Sequence, residues 1–264
     1  MVAKGAQYNN IERIIKSTVH IVMSDPDTFM PTGIGSGCLA NYKNRTILLT
    51  VAHVTNKKAA TCIIVDRSAD NGQPLLYSVG AMNYLEQFDI TKYEEQIKKF
   101  EDDSVKIEDK DFGLIDFSYA EIKEKVNFAQ KEIKFKEFTI KNGKKESVNT
   151  NLNDIPKGSE EYGFFGRIKP FIIKGDQNYF ETQESFYGGL KYLKKIGCYY
   201  LFELPIPILD HADFEGTSGA PIMDSKGRII SLVTHGYRGS KTIFGIALAD
   251  FRSTIDSAIL ANNL

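Results

Sequence analysis

Three short stretches of this chain carry residues whose types suit nucleophilic chemistry. Residues 214–221 read Phe-Glu-Gly-Thr-Ser-Gly-Ala-Pro, which puts Ser218 in a glycine-flanked turn with Ile222-Met223 following as a strand. Glycine ahead of a serine lets the backbone turn tightly enough to aim successive N–H groups at one point. Upstream, Leu48-Leu49-Thr50-Val51-Ala52-His53-Val54 closes an apolar, strand-like run on a histidine. Between them, Asp111-Phe112-Gly113-Leu114-Ile115-Asp116-Phe117 opens another such run on an acid. A serine hydroxyl is a poor nucleophile near neutral pH, so a base must take its proton as it attacks a carbonyl. Histidine suits that task because its unperturbed pKa, about 6.5, lies near working pH. Each also has an ordinary structural reading: the serine as a turn former, the histidine as a strand-end residue satisfied by backbone.

Taken in order, these segments resemble the trypsin-like (chymotrypsin-fold) serine peptidases, in particular their bacterial and viral intracellular members. There the histidine follows a Thr-Ala-Ala strand end, the aspartate opens an Asp-x-Ala-Leu strand, and the nucleophile lies in Gly-Asp-Ser-Gly-Gly-Pro. Ile34-Gly35-Ser36-Gly37-Cys38-Leu39 resembles the strand before the histidine strand, and residues 157–166 the strand opening the second barrel. Residues 229–236 resemble the wall of the specificity pocket, and Phe244-Gly245-Ile246-Ala247-Leu248 the strand after it. The likeness spans roughly residues 18–250, with insertions.

The resemblance implies Ser218 as nucleophile, His53 as general base and acid, and Asp111 as the carboxylate orienting the imidazole. The N–H groups of Gly216 and Ser218 would form the oxyanion hole. Asp109 and Asp116 compete with Asp111. Asp109 precedes the apolar alternation, and Asp116 lies five residues along the same expected strand, so its side chain should face the other way. Thr217 stands where secreted members place the acid that receives the new amino terminus, so no zymogen switch of that kind is expected. The primary pocket would be lined by Ala212 and Asp213, by Thr234, His235 and Gly236, and by Gly245. Glycines at 236 and 245 would leave both walls bare for a large substrate side chain. Ala212 counts against simple trypsin specificity, although Asp210 or Asp213 could pair with a basic side chain.

Positioning such a site needs strands. Stretches at 18–24, 34–41, 45–52, 60–66, 75–81 and 111–118 have strand character, and a second set lies at 159–166, 170–175, 198–205, 219–224, 228–236 and 243–249. Strand composition alone describes a sandwich equally well; the resemblance selects an all-β protein of two six-stranded antiparallel barrels. The expected division is 1–118 for the first barrel, 119–157 for the connection, and 158–264 for the second barrel with a C-terminal helix. Short helices are expected near 9–17, around Tyr93 and Ile97, and over 250–261. The aromatic-rich segment 176–196 reads as a long loop.

With 33 basic against 34 acidic residues, the net charge of −1 gives no reason to expect a nucleic-acid or membrane partner. Three cysteines, Cys38, Cys62 and Cys198, are poor material for a disulfide framework. Residues 1–24 lack a signal-peptide core and no apolar run approaches a membrane span, so a cytoplasmic, reducing setting is expected. No metal or cofactor is implied. The expectation is a serine endopeptidase acting on protein or peptide and restrained by a regulatory partner, by assembly or by active-site loops. The bacterial relatives in antiviral defence are one context for such restraint. The rivals are a catalytically silent binding protein on the same fold and an esterase using the same triad.

Overall fold

The computed structural model describes residues 6–28, 30–56, 59–68, 74–85, 88–101, 113–135, 138–173, 179–209, 214–236 and 238–261. Helix α1 (Ala6–Ser17) leads into β1 (Thr18–Ser24), β2 (Pro31–Tyr42) and β3 (Arg45–Thr50), and a single turn, α2 (Ala52–Thr55), follows. Next come β4 (Ala60–Ser68), β5 (Pro74–Ser78), β6 (Asn83–Tyr84), α3 (Ile90–Glu101) and β7 (Ser118–Glu121). The connection adds five two-residue strands: β8 (Ala129–Gln130), β9 (Ile133–Lys134), β10 (Thr139–Ile140), β11 (Gly143–Lys144) and β12 (Val148–Asn149). The second half is built from β13 (Glu161–Ile173), β14 (Tyr179–Ile196), β15 (Tyr199–Glu203), β16 (Pro221–Asp224), β17 (Ile229–Gly236) and β18 (Thr242–Ala247), and α4 (Leu248–Leu260) ends it.

This is the chymotrypsin fold. Strands β13 to β18 close a six-stranded barrel in the order β13-β14-β15-β18-β17-β16. The first half stays open among the described residues, as a half-barrel sheet ordered β5-β4-β1-β2-β3-β7-β6. Strand β12 joins it in parallel on β2, which takes Val148 to Ala40. Six-strand closure, expected of both halves, therefore holds for the second. The segment 176–196, expected as a loop, largely forms β14, paired with β13 from Glu161–Lys191 to Ile173–Tyr179.

One core runs through both halves. It joins Ile21, Leu48, Leu49 and Phe117 of the first to Phe165, Met223, Leu232 and Ile246 of the second. Helix α1 buries Ile14 and Ile15 in it, and each such burial is worth about 1.5–3 kcal/mol relative to exposure. Helix α3 is capped by Asp89, whose carboxylate accepts from the Thr91 and Lys92 N–H groups at 3.0 and 3.2 Å. Its apolar face joins Phe88, Tyr93 and Ile97 to Ala52, beside His53. None of the described helices is long and apolar enough to cross a membrane.

Candidate active site

His53 sits on α2, where the chain leaves β3. Its partner is Asp116. The Asp116 carboxylate accepts from the His53 backbone N–H at 2.9 Å and lies 2.7 Å from Nδ1. Asp116 is fully buried and the His53 side chain is 16% exposed, so one carboxylate holds both main chain and ring away from solvent. With Nδ1 protonated towards Asp116, Nε2 is left as the acceptor a general base needs.

The carboxylate expected on His53 was that of Asp111; among the described residues the carboxylate that meets His53 is that of Asp116. Asp111 itself lies outside the described residues. The face-alternation argument against Asp116 assumed one strand over 111–118, but β7 begins only at Ser118. Residues 113–117 follow an irregular path, pinned by the Tyr199 hydroxyl donating to the Leu114 carbonyl at 2.7 Å. Period-two alternation has no force on such a path. Just beyond, Ser118 Oγ meets Thr55 Oγ1 at 2.9 Å, tying β7 to the turn that carries His53.

Ser218 sits in the turn before β16. Its Oγ donates to the Thr234 carbonyl of β17 at 3.2 Å. Among the described residues neither the Gly216 nor the Ser218 N–H donates to a backbone carbonyl. The turn is held from the first half of the molecule by Ser36 of β2. Its N–H donates to the Ser218 carbonyl at 2.8 Å, and its hydroxyl to the Gly216 carbonyl at 2.8 Å. Thr50, three residues ahead of His53, donates to the Ser36 carbonyl at 2.7 Å. Gly219 adopts φ +89°, and a Cβ there would stand 2.0 Å from the Ser36 carbonyl oxygen. Glycine is required at 219 both for its backbone and for this close approach. The seam thus brings the Ser218 turn against the strand that delivers His53. Ser36 is a site residue that the sequence reading had placed only as part of a matching strand; its glycine flanks were the available signal.

Thr217 is buried and its hydroxyl donates to the Phe214 carbonyl at 2.8 Å. Its methyl fills the space a Cβ on Gly166 would enter. A neutral, self-satisfied side chain therefore packs the turn where an ion pair was the family alternative.

The substrate-binding expectations divide. Ala212, Asp213 and Asp210 lie outside the described residues. Thr234 contributes its carbonyl to Ser218 and its hydroxyl to the Phe244 carbonyl at 3.0 Å. His235 is buried, stacked on Phe244 at 4.5 Å, and edge-on to Tyr199 and Tyr93. Neither glycine leaves a bare wall. A Cβ on Gly236 would stand 2.6 Å from Ile208 Cδ1, and one on Gly245 would stand 2.3 Å from Ser231 Oγ. Both positions are close-packed.

Sequence reasoning also missed the role of Tyr93. Helix α3 lays its ring flat on His53, with centroids 4.6 Å apart and planes 11° apart. Asp116 fixes the imidazole in its plane, and Tyr93 covers one face.

Burial pushes the His235 imidazole down to about 3, and the nearby His53 acts in the same direction. In the unfolded chain the same group titrates near about 6.5. Below that pH the unfolded state binds a proton the folded state refuses, so stability is lost as pH falls from about 6.5 towards about 3. His235→Phe should flatten this acid loss. Urea midpoints at about pH 7 and about pH 4.5 measure it, and an equal fall in both proteins would refute the assignment.

No family model and no curated protein matches this chain. Solved structures do. A serine endoprotease from Yersinia pestis aligns with a TM-score of 0.53 at 12% identity, covering 98% of this chain and 68% of that one. Human heparin binding protein aligns with a TM-score of 0.54 at 11% identity, covering 94% and 93%. HL collagenase aligns with a TM-score of 0.55 at 10% identity, covering 94% and 95%. At these identities the likeness establishes the fold, which two neighbours named for proteolysis share with one named for binding heparin.

Proposed function

We propose that this chain is a serine endopeptidase in which Ser218 attacks the peptide carbonyl, His53 carries the proton and Asp116 orients His53. The observation that carries this reading is the two-point grip of buried Asp116 on His53. A carboxylate is enclosed without solvent at the cost of desolvation, and here it leaves one imidazole nitrogen poised as a base. In the first step the Ser218 hydroxyl turns from Thr234 to Nε2. Its oxygen bonds the substrate carbonyl carbon as the proton passes to His53. The carbonyl oxygen, now negative, takes the N–H groups of Gly216 and Ser218. His53 then protonates the leaving amine, and water repeats the sequence on the acyl-enzyme. Three cysteines without disulfides suit a reducing compartment.

A fluorophosphonate probe tests the reading directly. The parent chain should be labelled and Ser218→Ala should not; an unlabelled parent chain defeats the proposal. Tyr93 gives a finer test. Aromatic stacking is worth about 0.5–1.5 kcal/mol, so Tyr93→Ala should lower kcat about two- to tenfold while Tyr93→Phe stays near the parent value. Equal losses in both variants would show that the hydroxyl, rather than the stacked ring, matters.

A further inference from the structure

The close packing at Gly236 bears on which peptide bond is cut, an inference that rests on the peptidase reading above. An acyl group on Ser218, with its oxygen towards Gly216, has two directions for the adjoining side chain. His53, stacked face to face with Tyr93, marks the side that the peptidase reading gives to the leaving amine. On the other is the end of β17, where Thr234 touches Ser218 and Gly236 follows two residues later. On the peptidase reading the substrate side chain lies on that second side, against Gly236, whose Cβ position Ile208 already crowds.

Ile208 is 4% exposed and belongs to the buried cluster that also holds Phe214, Ile222, Val233 and Ile243. It is held by main chain on both sides. Its N–H donates to the Ser240 carbonyl at 2.9 Å, and its carbonyl accepts from the Gly239 N–H at 2.7 Å. Leu204 N–H donates to the Lys241 carbonyl at 2.7 Å, so the segment is laced along the β17–β18 connection. Its Cδ1 stands 2.6 Å from where a Cβ on Gly236 would be, closer than real Cβ contacts come. On the next strand Gly245 gives no relief, because Ser231 Oγ and Ile222 Cδ1 stand 2.3 and 2.9 Å from its own Cβ position.

We infer that Ile208 is the specificity-determining residue of this site, and that the chain cuts after small residues, glycine, alanine or serine. A larger side chain must displace the Cδ1 end of a buried isoleucine from the face of Gly236. A single methylene in an apolar pocket already discriminates by about 10- to 200-fold. Leucine and phenylalanine, which exceed alanine by several carbons, are excluded at least that strongly.

The experiment uses the whole chain and a set of peptides differing only in the residue before the cut: Gly, Ala, Ser, Leu or Phe. The expected kcat/KM for Ala exceeds that for Leu and Phe by about 100-fold or more. Ile208→Ala should narrow that ratio about tenfold or more by raising cleavage after Leu and Phe, with Ile208→Val between the two. Fluorophosphonate labelling of each variant shows that its site is folded and live, and Ile208→Val keeps the test open if the alanine variant does not fold. Parent cleavage after Phe or Leu as fast as after Ala would overturn the inference, as would an unchanged ratio in labelled variants. Failure of the parent chain to react with the probe is a separate outcome: it removes the peptidase reading and this inference with it.

Discussion

Ser218→Ala is expected to lower peptide hydrolysis about a million-fold, the scale on which comparable triads lose turnover when the nucleophile is removed. The loss should be chemical and not structural. Both bonds from Ser36 go to carbonyl oxygens of the turn, those of Gly216 and Ser218, and survive the substitution. The hydroxyl itself gives up only its bond to the Thr234 carbonyl. A net change of about 0.5–1.5 kcal/mol in stability is all that bond should carry. If the Gly216 and Ser218 N–H groups bind the oxyanion as proposed, a residual rate of about a thousand- to ten-thousand-fold over water is expected from that and substrate binding alone. Steady-state kinetics beside a thermal melt separates the two effects. Undiminished hydrolysis in a folded Ser218→Ala chain would mean that another group attacks.

The turn that carries Ser218 and the strand end that carries His53 were legible because each announces itself locally. Ser218 needs a tight turn, and glycine on both sides writes that turn into the sequence; Gly219 is required by its φ and by Ser36. His53 ends an apolar run that becomes β3, fully buried from Ile47 to Thr50. The acid was harder. Whether Asp111 or Asp116 meets His53 depends on where the strand begins, and periodicity cannot show that the backbone is irregular up to Phe117. The strand β14 was hidden for a related reason. Bulges in β14 at Gly189, opposite Tyr162/Gly163 of β13, and between Tyr192 and Lys194 interrupt the alternation by which a strand is recognised. The glycines of β17 and β18 misled in the opposite direction. A missing side chain reads as a vacancy along the chain, but in space the vacancy is filled by Ile208 or by Ser231 and Ile222. What lies across a gap is a tertiary fact, and no local pattern records it.

Asp116→Asn is the substitution that separates the structure from the sequence reading. Asparagine preserves the size of the group and can still accept from the His53 N–H through its carbonyl oxygen. Its amide, facing Nδ1, donates where the carboxylate accepts, and so favours the tautomer with the proton on Nε2. That tautomer cannot take the Ser218 proton. The equivalent change in a well-studied triad lowers kcat about ten-thousand-fold with geometry intact, and a loss on that order is expected here. Because Asp116 is buried, the loss should ease as pH rises only where hydroxide replaces the missing base, not through titration of the asparagine. Asp116→Ala adds a structural penalty of about 1–3 kcal/mol, since the backbone N–H of His53 loses its acceptor in a part-buried turn. Asp111→Asn should leave turnover close to that of the parent chain. Kinetics on the three variants decides the matter. If Asp111→Asn is crippled and Asp116→Asn active, the grip of Asp116 on His53 is only structural, and the carboxylate serving the base is Asp111.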